Sequence, residues 1–181
     1  MSHQRGIDLI ANPAYLSIGS NLGKREIAVL AVPRILEQTA TGTKVRLSSL
    51  YETEPVDCRP MNSFINAVVE FEPLLYSADL LKRLQAIEKL LGRRGGHNEP
   101  RELDIDILTL GNQVIETEIL TVPHPQYRER GFVLIPLKEL APGFACPATG
   151  RHIDDLVGSL PQTDSVIRIS SRRIVTDMGT K

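Results

Sequence analysis

The chain has 181 residues, a formal net charge of −1 and a 41% share of hydrophobic residues. This length suits one domain with a proper core, and the charge excludes a general attraction to nucleic acid or anionic lipid. No apolar run is long enough to cross a bilayer, the first residues lack the pattern of a signal peptide, and two distant cysteines form no disulfide framework. We therefore expect one cytoplasmic domain over 1–181, without nucleic-acid or membrane partners, with extensions at 1–13 and about 162–181 that could be flexible.

Apolar periodicity and turn residues predict the secondary structure in chain order. The N-terminal half contains strand 14–18, helix 25–38, strands 45–51 and 64–71, and helix 77–91 with Ser77 as its N-cap. The C-terminal half contains an acidic strand at 103–110, a hairpin signal at Gly111-Asn112, helices 132–140 and 152–160, and an edge strand at 166–169. Short strands mixed with helices indicate an α+β domain with a mostly antiparallel sheet.

The acidic strand is the most informative segment, because residues 103–107 read Leu-Asp-Ile-Asp-Ile. In a strand, side chains i and i+2 share a face, so Asp104 and Asp106 would stand side by side. Adjacent carboxylates repel each other and Asp is a poor strand former. A divalent cation between them would make the arrangement favourable, and Mg²⁺ is typically held by one or two carboxylates plus substrate phosphates. Taken alone, the pair of aspartates is equally consistent with a metal site and with a solvated strand face.

Three further features suggest chemistry around this strand. An Arg- and Gly-rich loop at 92–102 places Arg93 and Arg101 beside it, and Arg is a usual means of neutralising phosphate charge in phosphoryl transfer. The alternative for this loop is a solvated surface. His124 lies between two prolines and could donate to a phosphate or be an ordinary surface residue. Asn66, inside a predicted strand, could recognise a heterocycle or only close a local hydrogen bond.

Seven segments together resemble the 6-hydroxymethyl-7,8-dihydropterin pyrophosphokinase family. They include Ile-Gly-Ser-Asn-Leu-Gly and the acidic strand, and they lie at 15–23, 49–55, 64–67, 100–108, 120–124, 130–132 and 140–142. The resemblance covers about residues 14–145 in the family's order. It implies a three-layer α-β-α sandwich of ferredoxin-like type around a mostly antiparallel sheet.

The resemblance also implies transfer of pyrophosphate from ATP to the hydroxymethyl group of the dihydropterin in tetrahydrofolate biosynthesis, with release of AMP. Two Mg²⁺ ions would be bound by Asp104 and Asp106, and Arg93 and Arg101 would stabilise the transferring group. The positions that match contacts to ATP are Gln85, Glu88, Ile107 through its backbone, Thr121, His124 and Arg130. The positions that match the pterin site are Thr53, Val56, Phe64, Asn66 and Phe132.

The chain departs from the family pattern mainly in the Arg-rich loop. It has no Trp, and Asn98 stands where many members carry one in a longer loop. Pro125 replaces a Tyr found in some members, and Phe64 replaces a frequent Tyr. We expect weaker loop contacts with ATP and pterin, and the same reaction. Two alternatives stay open: a non-catalytic nucleotide- or pterin-binding module, and a different metal-dependent enzyme, such as a phosphohydrolase or glycosyltransferase, that uses the Asp pair.

Overall fold

The computed structural model describes residues 13–54, 62–91, 103–161 and 166–169. The first half of the chain contains β1 Ala14–Ser20, α1 Arg25–Gln38, β2 Gly42–Leu47, β3 Leu50–Thr53, β4 Phe64–Pro73 and α2 Ser77–Leu90. The second half contains β5 Asp104–Leu110, β6 Ile115–Glu116, β7 Thr121–Val122, α3 Gly131–Leu140, α4 Ile153–Gly158 and β8 Val166–Ile169. A 3₁₀ turn at Tyr127–Glu129 precedes α3.

Six strands of the described ranges form one sheet whose main path runs β5-β1-β4-β3-β8, and β2 pairs with the far end of β4. Every pairing in the described sheet is antiparallel, which confirms the predicted sheet type. The longest strand, β4, has ten residues and lies at the centre of this sheet. Its Val and Phe residues favour the extended conformation, and most of its residues are buried, as expected for a central strand.

Two apolar clusters pack against this sheet. One joins α1 and α2 to inward residues of the strands, including Ile105 and Ile107, and to Leu103 just before β5. The other joins the 3₁₀ turn, α3 and α4 to strand residues such as Tyr15 and Val68. Because side chains alternate along β5, Asp104 and Asp106 face away from the first cluster, as the sequence predicts. No helix in the described ranges is long and apolar enough to span a bilayer.

Two local predictions at turns are wrong. The helix α2 begins at Ser77, but its N-cap is Tyr76, and no side chain caps it. Gly111 does adopt a turn conformation with a φ of 54°, but β5 forms no hairpin through it. Instead β5 pairs with β1, and β6 pairs with β7. The apolar β5 residues gain more by joining the central sheet than by pairing with the two-residue β6.

The single strand predicted over 45–51 is divided in the structure. β2 ends at Leu47 and β3 begins at Leu50, with two serines between them. Ser48 Oγ donates to the carbonyl of Ser49 at 2.8 Å and accepts from the N–H of Val68 at 3.0 Å. The N–H of Ser48 still donates to the carbonyl of Val68 at 2.9 Å, so the Ser48 hydroxyl takes over one backbone acceptor of the ladder, the one that would bind the Val68 N–H. The break therefore follows from serine chemistry and not from a loss of apolar pattern.

Candidate active site

The residues predicted for the two substrates lie in one row across the sheet. Asp104 on β5 is opposite Gly19 on β1, and Gly19 is opposite Asn66 on β4. Directly opposed residues of antiparallel strands place their side chains on the same face. Neighbouring strands are about 4.8 Å apart, so the Asp104 and Asn66 backbones are separated by roughly 10 Å. The two aspartates predicted to bind metal and the asparagine predicted to recognise a heterocycle thus share one face of the sheet, with Gly19 between them.

Asp104 and Asp106 offer partly exposed carboxylate oxygens on that face. The Asp106 side chain is 39% exposed, and Nη1 of Arg130 lies 4.0 Å from its Oδ2. Within the described ranges, no group of three or more His, Cys, Asp or Glu side chains forms a metal site by protein ligands alone. The donor set nevertheless fits Mg²⁺, which keeps several waters and combines one or two carboxylates with substrate phosphates.

Arg130 connects the acidic pair to an aromatic ring. It is the N-cap residue of α3, and its Nη2 donates to Oε1 of Gln126. Its guanidinium carbon lies 5.7 Å from the centroid of the Phe132 ring, within the range of a cation–π contact. A guanidinium held between a carboxylate and a ring keeps a fixed position, which favours the recognition of phosphate oxygens.

His124 presents a neutral ring to the same region. The N–H of Gln126 donates to its Nδ1 at 3.2 Å, which assigns the ring proton to Nε2. Burial lowers the pKa of His124, and together with Arg130 it outweighs the opposing effect of Asp106 and Asp104. The backbone N–H of His124 donates to Leu108 in β5 at 2.9 Å and fixes the loop beside the acidic strand. The Nε2–H is then a hydrogen-bond donor at neutral pH.

Glu88 on α2 supports the acidic strand from its outer edge. Its side chain is buried, and its Oε1 accepts from the N–H of Ile105, between the two aspartates, at 2.9 Å. β5 is the end strand of the described sheet, and backbone groups at i and i+2 point the same way. The backbone of Ile107 therefore faces the same outer edge. Gln85 and Thr121, the other positions predicted for ATP, are exposed on α2 and β7.

The predicted pterin residues gather around Asn66. Its Nδ2 donates to Oγ1 of Thr53 at 2.9 Å, and both side chains are buried. Phe64 is half-buried opposite Thr53, and Phe132 packs against the second apolar cluster. Thr53 also lines a cleft of about 240 Å³, whose other lining residues are Glu52, Glu54, Ser63 and Ile167. Val56, Arg93 and Arg101, which the sequence also predicts for the site, lie outside the described residues.

Residues 15–142 match the family model described as 7,8-dihydro-6-hydroxymethylpterin-pyrophosphokinase. The chain belongs to this family. It is 42% identical over 144 residues to the 2-amino-4-hydroxy-6-hydroxymethyldihydropteridine pyrophosphokinase of Bacillus subtilis, covering 79% of this chain and 86% of that one. With the enzyme of the same name from Pseudomonas aeruginosa, the identity is 37% over 148 residues, covering 81% and 91%.

Larger proteins contain the same unit. The folic acid synthesis protein of Pneumocystis carinii is 40% identical over 141 residues, which are 77% of this chain and 19% of that protein. A solved HPPK-DHPS structure in complex with substrates superposes with a TM-score of 0.64 at 15% identity, covering 82% of this chain and 43% of that one. This likeness confirms the pyrophosphokinase fold, a mixed α and β structure with a mostly antiparallel sheet.

One polar cluster, where α1 meets the ends of β3 and β4, was missed by sequence reasoning. Nη1 of Arg25, at the start of α1, donates to the carbonyl and Oγ of Ser63 at 2.5 and 2.7 Å and lies 3.3 Å from Oε1 of Glu52. The hydrogen bond from the Ser63 hydroxyl, helped by Arg25, lowers the pKa of Glu52. The cluster joins the end of β3 to the start of β4. No motif or periodicity links these three residues, so the sequence carried no signal for it.

Proposed function

We propose that this chain transfers pyrophosphate from ATP to the hydroxymethyl group of 6-hydroxymethyl-7,8-dihydropterin in folate biosynthesis. The observation that carries the proposal is the cross-strand row in which Asp104, Gly19 and Asn66 share one sheet face. Carboxylates for metal-bound phosphates lie at one end of this row, and an amide suited to a heterocycle lies two strands away. Membership in the pyrophosphokinase family supports this assignment. Two apolar clusters on the sheet also support the three-layer α-β-α arrangement that we propose.

The phosphate side of the site is built on β5 and the loop before α3. Asp104 and Asp106 would hold two Mg²⁺ ions, which when bound supply charge neutralisation on the ATP triphosphate. Arg130, 4.0 Å from Asp106, would bind phosphate oxygens beside them. Arg93 and Arg101 are assigned from the resemblance to stabilise the transferring group. Their guanidinium groups suit the charge that spreads over phosphate oxygens in the transition state.

ATP would lie along the outer edge of β5. The Ile107 backbone faces that edge, where a nucleobase can form strand-like hydrogen bonds. The neutral His124 ring would donate its Nε2–H to a phosphate or sugar oxygen. Glu88 holds the backbone between the two aspartates in place through Ile105. A direct contact of Glu88 with ATP stays a prediction, as do the contacts of Gln85 and Thr121.

On the pterin side, Asn66 would recognise the polar edge of the ring. Thr53 orients its amide, Phe132 would stack on the ring, and Phe64 and Val56 would complete the walls. The pterin hydroxyl oxygen then attacks the β-phosphorus in line. A new O–P bond forms to the β-phosphorus while the hydroxyl O–H bond breaks and its proton is released to water. The bond from the β-phosphorus to the bridging oxygen of the α-phosphate breaks, so that AMP leaves.

The direct test is a coupled assay for AMP from ATP and 6-hydroxymethyl-7,8-dihydropterin, with and without Mg²⁺. We expect AMP to form only when the pterin and the metal are both present. ADP with a monophosphorylated pterin would contradict the proposal. Nucleotide hydrolysis without pterin would favour the phosphohydrolase alternative, and tight binding of an ATP analogue without turnover would favour the binding module.

Gly19→Ala tests the close approach of Asn66 to the backbone in the middle of the row. A Cβ at Gly19 would lie 3.1 Å from Oδ1 of Asn66, so the amide must shift. We expect the KM for pterin to rise about three- to tenfold, as for one weakened hydrogen bond, while the KM for ATP changes less. Gly158→Ala is the matched control, because a Cβ there meets nothing within 4 Å. Equal rises in both KM values would instead indicate a general distortion of the site.

A further inference from the structure

The last strand of the described chain extends the substrate row. β8 lies beyond residues 15–142, which match the family model, and it pairs with β3 at the end of the sheet. In that pairing Arg168 is opposite Tyr51, and Tyr51 is opposite Asn66 on β4. The row that begins at Asp104 therefore continues through Asn66 and Tyr51 to Arg168. A segment outside the matched region thus reaches the strand that borders the predicted pterin site.

Arg168 is linked to the start of β3 by hydrogen bonds to Ser49. Its Nε and Nη2 donate to Oγ of Ser49 at 2.9 and 2.7 Å, and the same hydroxyl donates to Oε1 of Glu139 on α3 at 2.9 Å. A hydroxyl has one proton and two lone pairs, so these bonds use its full capacity. Nη2 of Arg168 is also 3.6 Å from Oε1 of Glu139. The guanidinium thus completes a network that joins β8, β3 and α3.

Glu139 connects this hydrogen-bond network to Tyr51, the residue opposite Asn66 on the neighbouring strand. Its Oε2 accepts from the Tyr51 hydroxyl at 2.7 Å, and its Oε1 accepts from the N–H of Ser49 at 3.0 Å. Burial, followed by the bond to Glu139, raises the pKa of Tyr51 to about 12. Tyr51 is a buried residue, so its ring has one fixed place against β4. Opposed side chains on antiparallel strands pack against each other. The Tyr51 ring therefore forms the wall of the predicted pterin site beside the Asn66 amide.

We infer that β8 is part of the pterin site and that Arg168 is a positioning residue for it, acting through Ser49, Glu139 and Tyr51. Arg168 touches no reacting atom in this assignment. Its effect is on pterin binding and not on ATP binding, because ATP is placed at β5, four strands away along the sheet. The inference rests on the proposed function.

The test compares Arg168→Ala and Arg168→Lys with Arg151→Ala, each made in the whole 181-residue chain. Arg151 is a matched control, since its exposed guanidinium also donates two hydrogen bonds, to Asp155 and Ser159 near α4. We expect Arg168→Ala to raise the KM for pterin about three- to tenfold, the effect of one lost hydrogen bond, with kcat and the KM for ATP within about twofold. Arg168→Lys should restore part of the loss, and Arg151→Ala should match the wild type.

The inference is overturned if Arg168→Ala leaves the KM for pterin unchanged, or if both KM values rise together. Pterin affinity is measured separately by the ligand's fluorescence, for which a chain without Trp gives little background. If the wild type binds pterin but forms no AMP, the proposed reaction is wrong. The dissociation constants of pterin from the wild type and from Arg168→Ala then still test the role of Arg168. If the wild type binds no pterin, both the inference and the proposed function are overturned.

Discussion

Asp104→Asn or Asp106→Asn is expected to lower kcat for AMP formation by at least about 10³-fold, because each change removes a metal-binding charge worth several kcal/mol in the transition state. Both carboxylates lie on one face of β5, and the backbone N–H between them is held by buried Glu88. Asn keeps the size and shape of Asp, so the change removes the negative charge and replaces one acceptor oxygen with an NH₂ donor. Raising the Mg²⁺ concentration should recover little of the lost rate, since the two ligands act together.

The fold should survive these changes. Two adjacent carboxylates repel each other, so neutralising one relieves a local cost. One opposing loss is the ion pair between Arg130 and Asp106, which is 4.0 Å long and partly exposed and so contributes about 1 kcal/mol or less. Without ATP and metal, the melting temperature should stay close to the wild-type value. Asp155→Asn, at an exposed position on α4, is the control. Retention of full activity by Asp106→Asn would remove the acidic pair from the mechanism.

Local structure was predictable where side-chain pattern and backbone preference agree. Helix α1 has the predicted bounds, and α2 differs from the prediction only at its C-terminal residue and its cap. The common face of Asp104 and Asp106 follows from strand alternation, which any pairing partner would preserve. The edge strand β8 was also predicted. In each case the information lies within a few neighbouring residues.

The arrangement of the site depended on contacts that a local pattern does not contain. Strand alternation cannot show that Asp104, Gly19 and Asn66 share a row, because the row is set by pairing between distant segments. The bond from Arg25 to Ser63 spans 38 positions of sequence. The family resemblance supplied roles for Asp104 and Asn66, but only the register places them relative to one another.

Asn66→Ala is expected to raise the KM for pterin about 10- to 100-fold and to change the KM for ATP less than threefold, because Asn66 can form two or more hydrogen bonds to the ring edge, each worth about 1 kcal/mol. Asn66 is buried on β4, where water cannot replace the missing amide easily. The measurement is steady-state kinetics with each substrate varied in turn. Asn112→Ala, at an exposed turn, serves as the control.

Thr53→Val distinguishes two roles of Asn66, direct binding of the pterin and a purely structural hydrogen bond to Thr53. Thr53 accepts the hydrogen bond from Nδ2 of Asn66 at 2.9 Å, so this variant removes the bond and leaves the amide in place. If Asn66 binds the pterin, Thr53→Val should raise the KM for pterin much less than Asn66→Ala does, because the remaining amide still reaches the ring. If Asn66 only closes a local bond to Thr53, the two variants remove the same interaction and should raise the KM for pterin by similar, small factors.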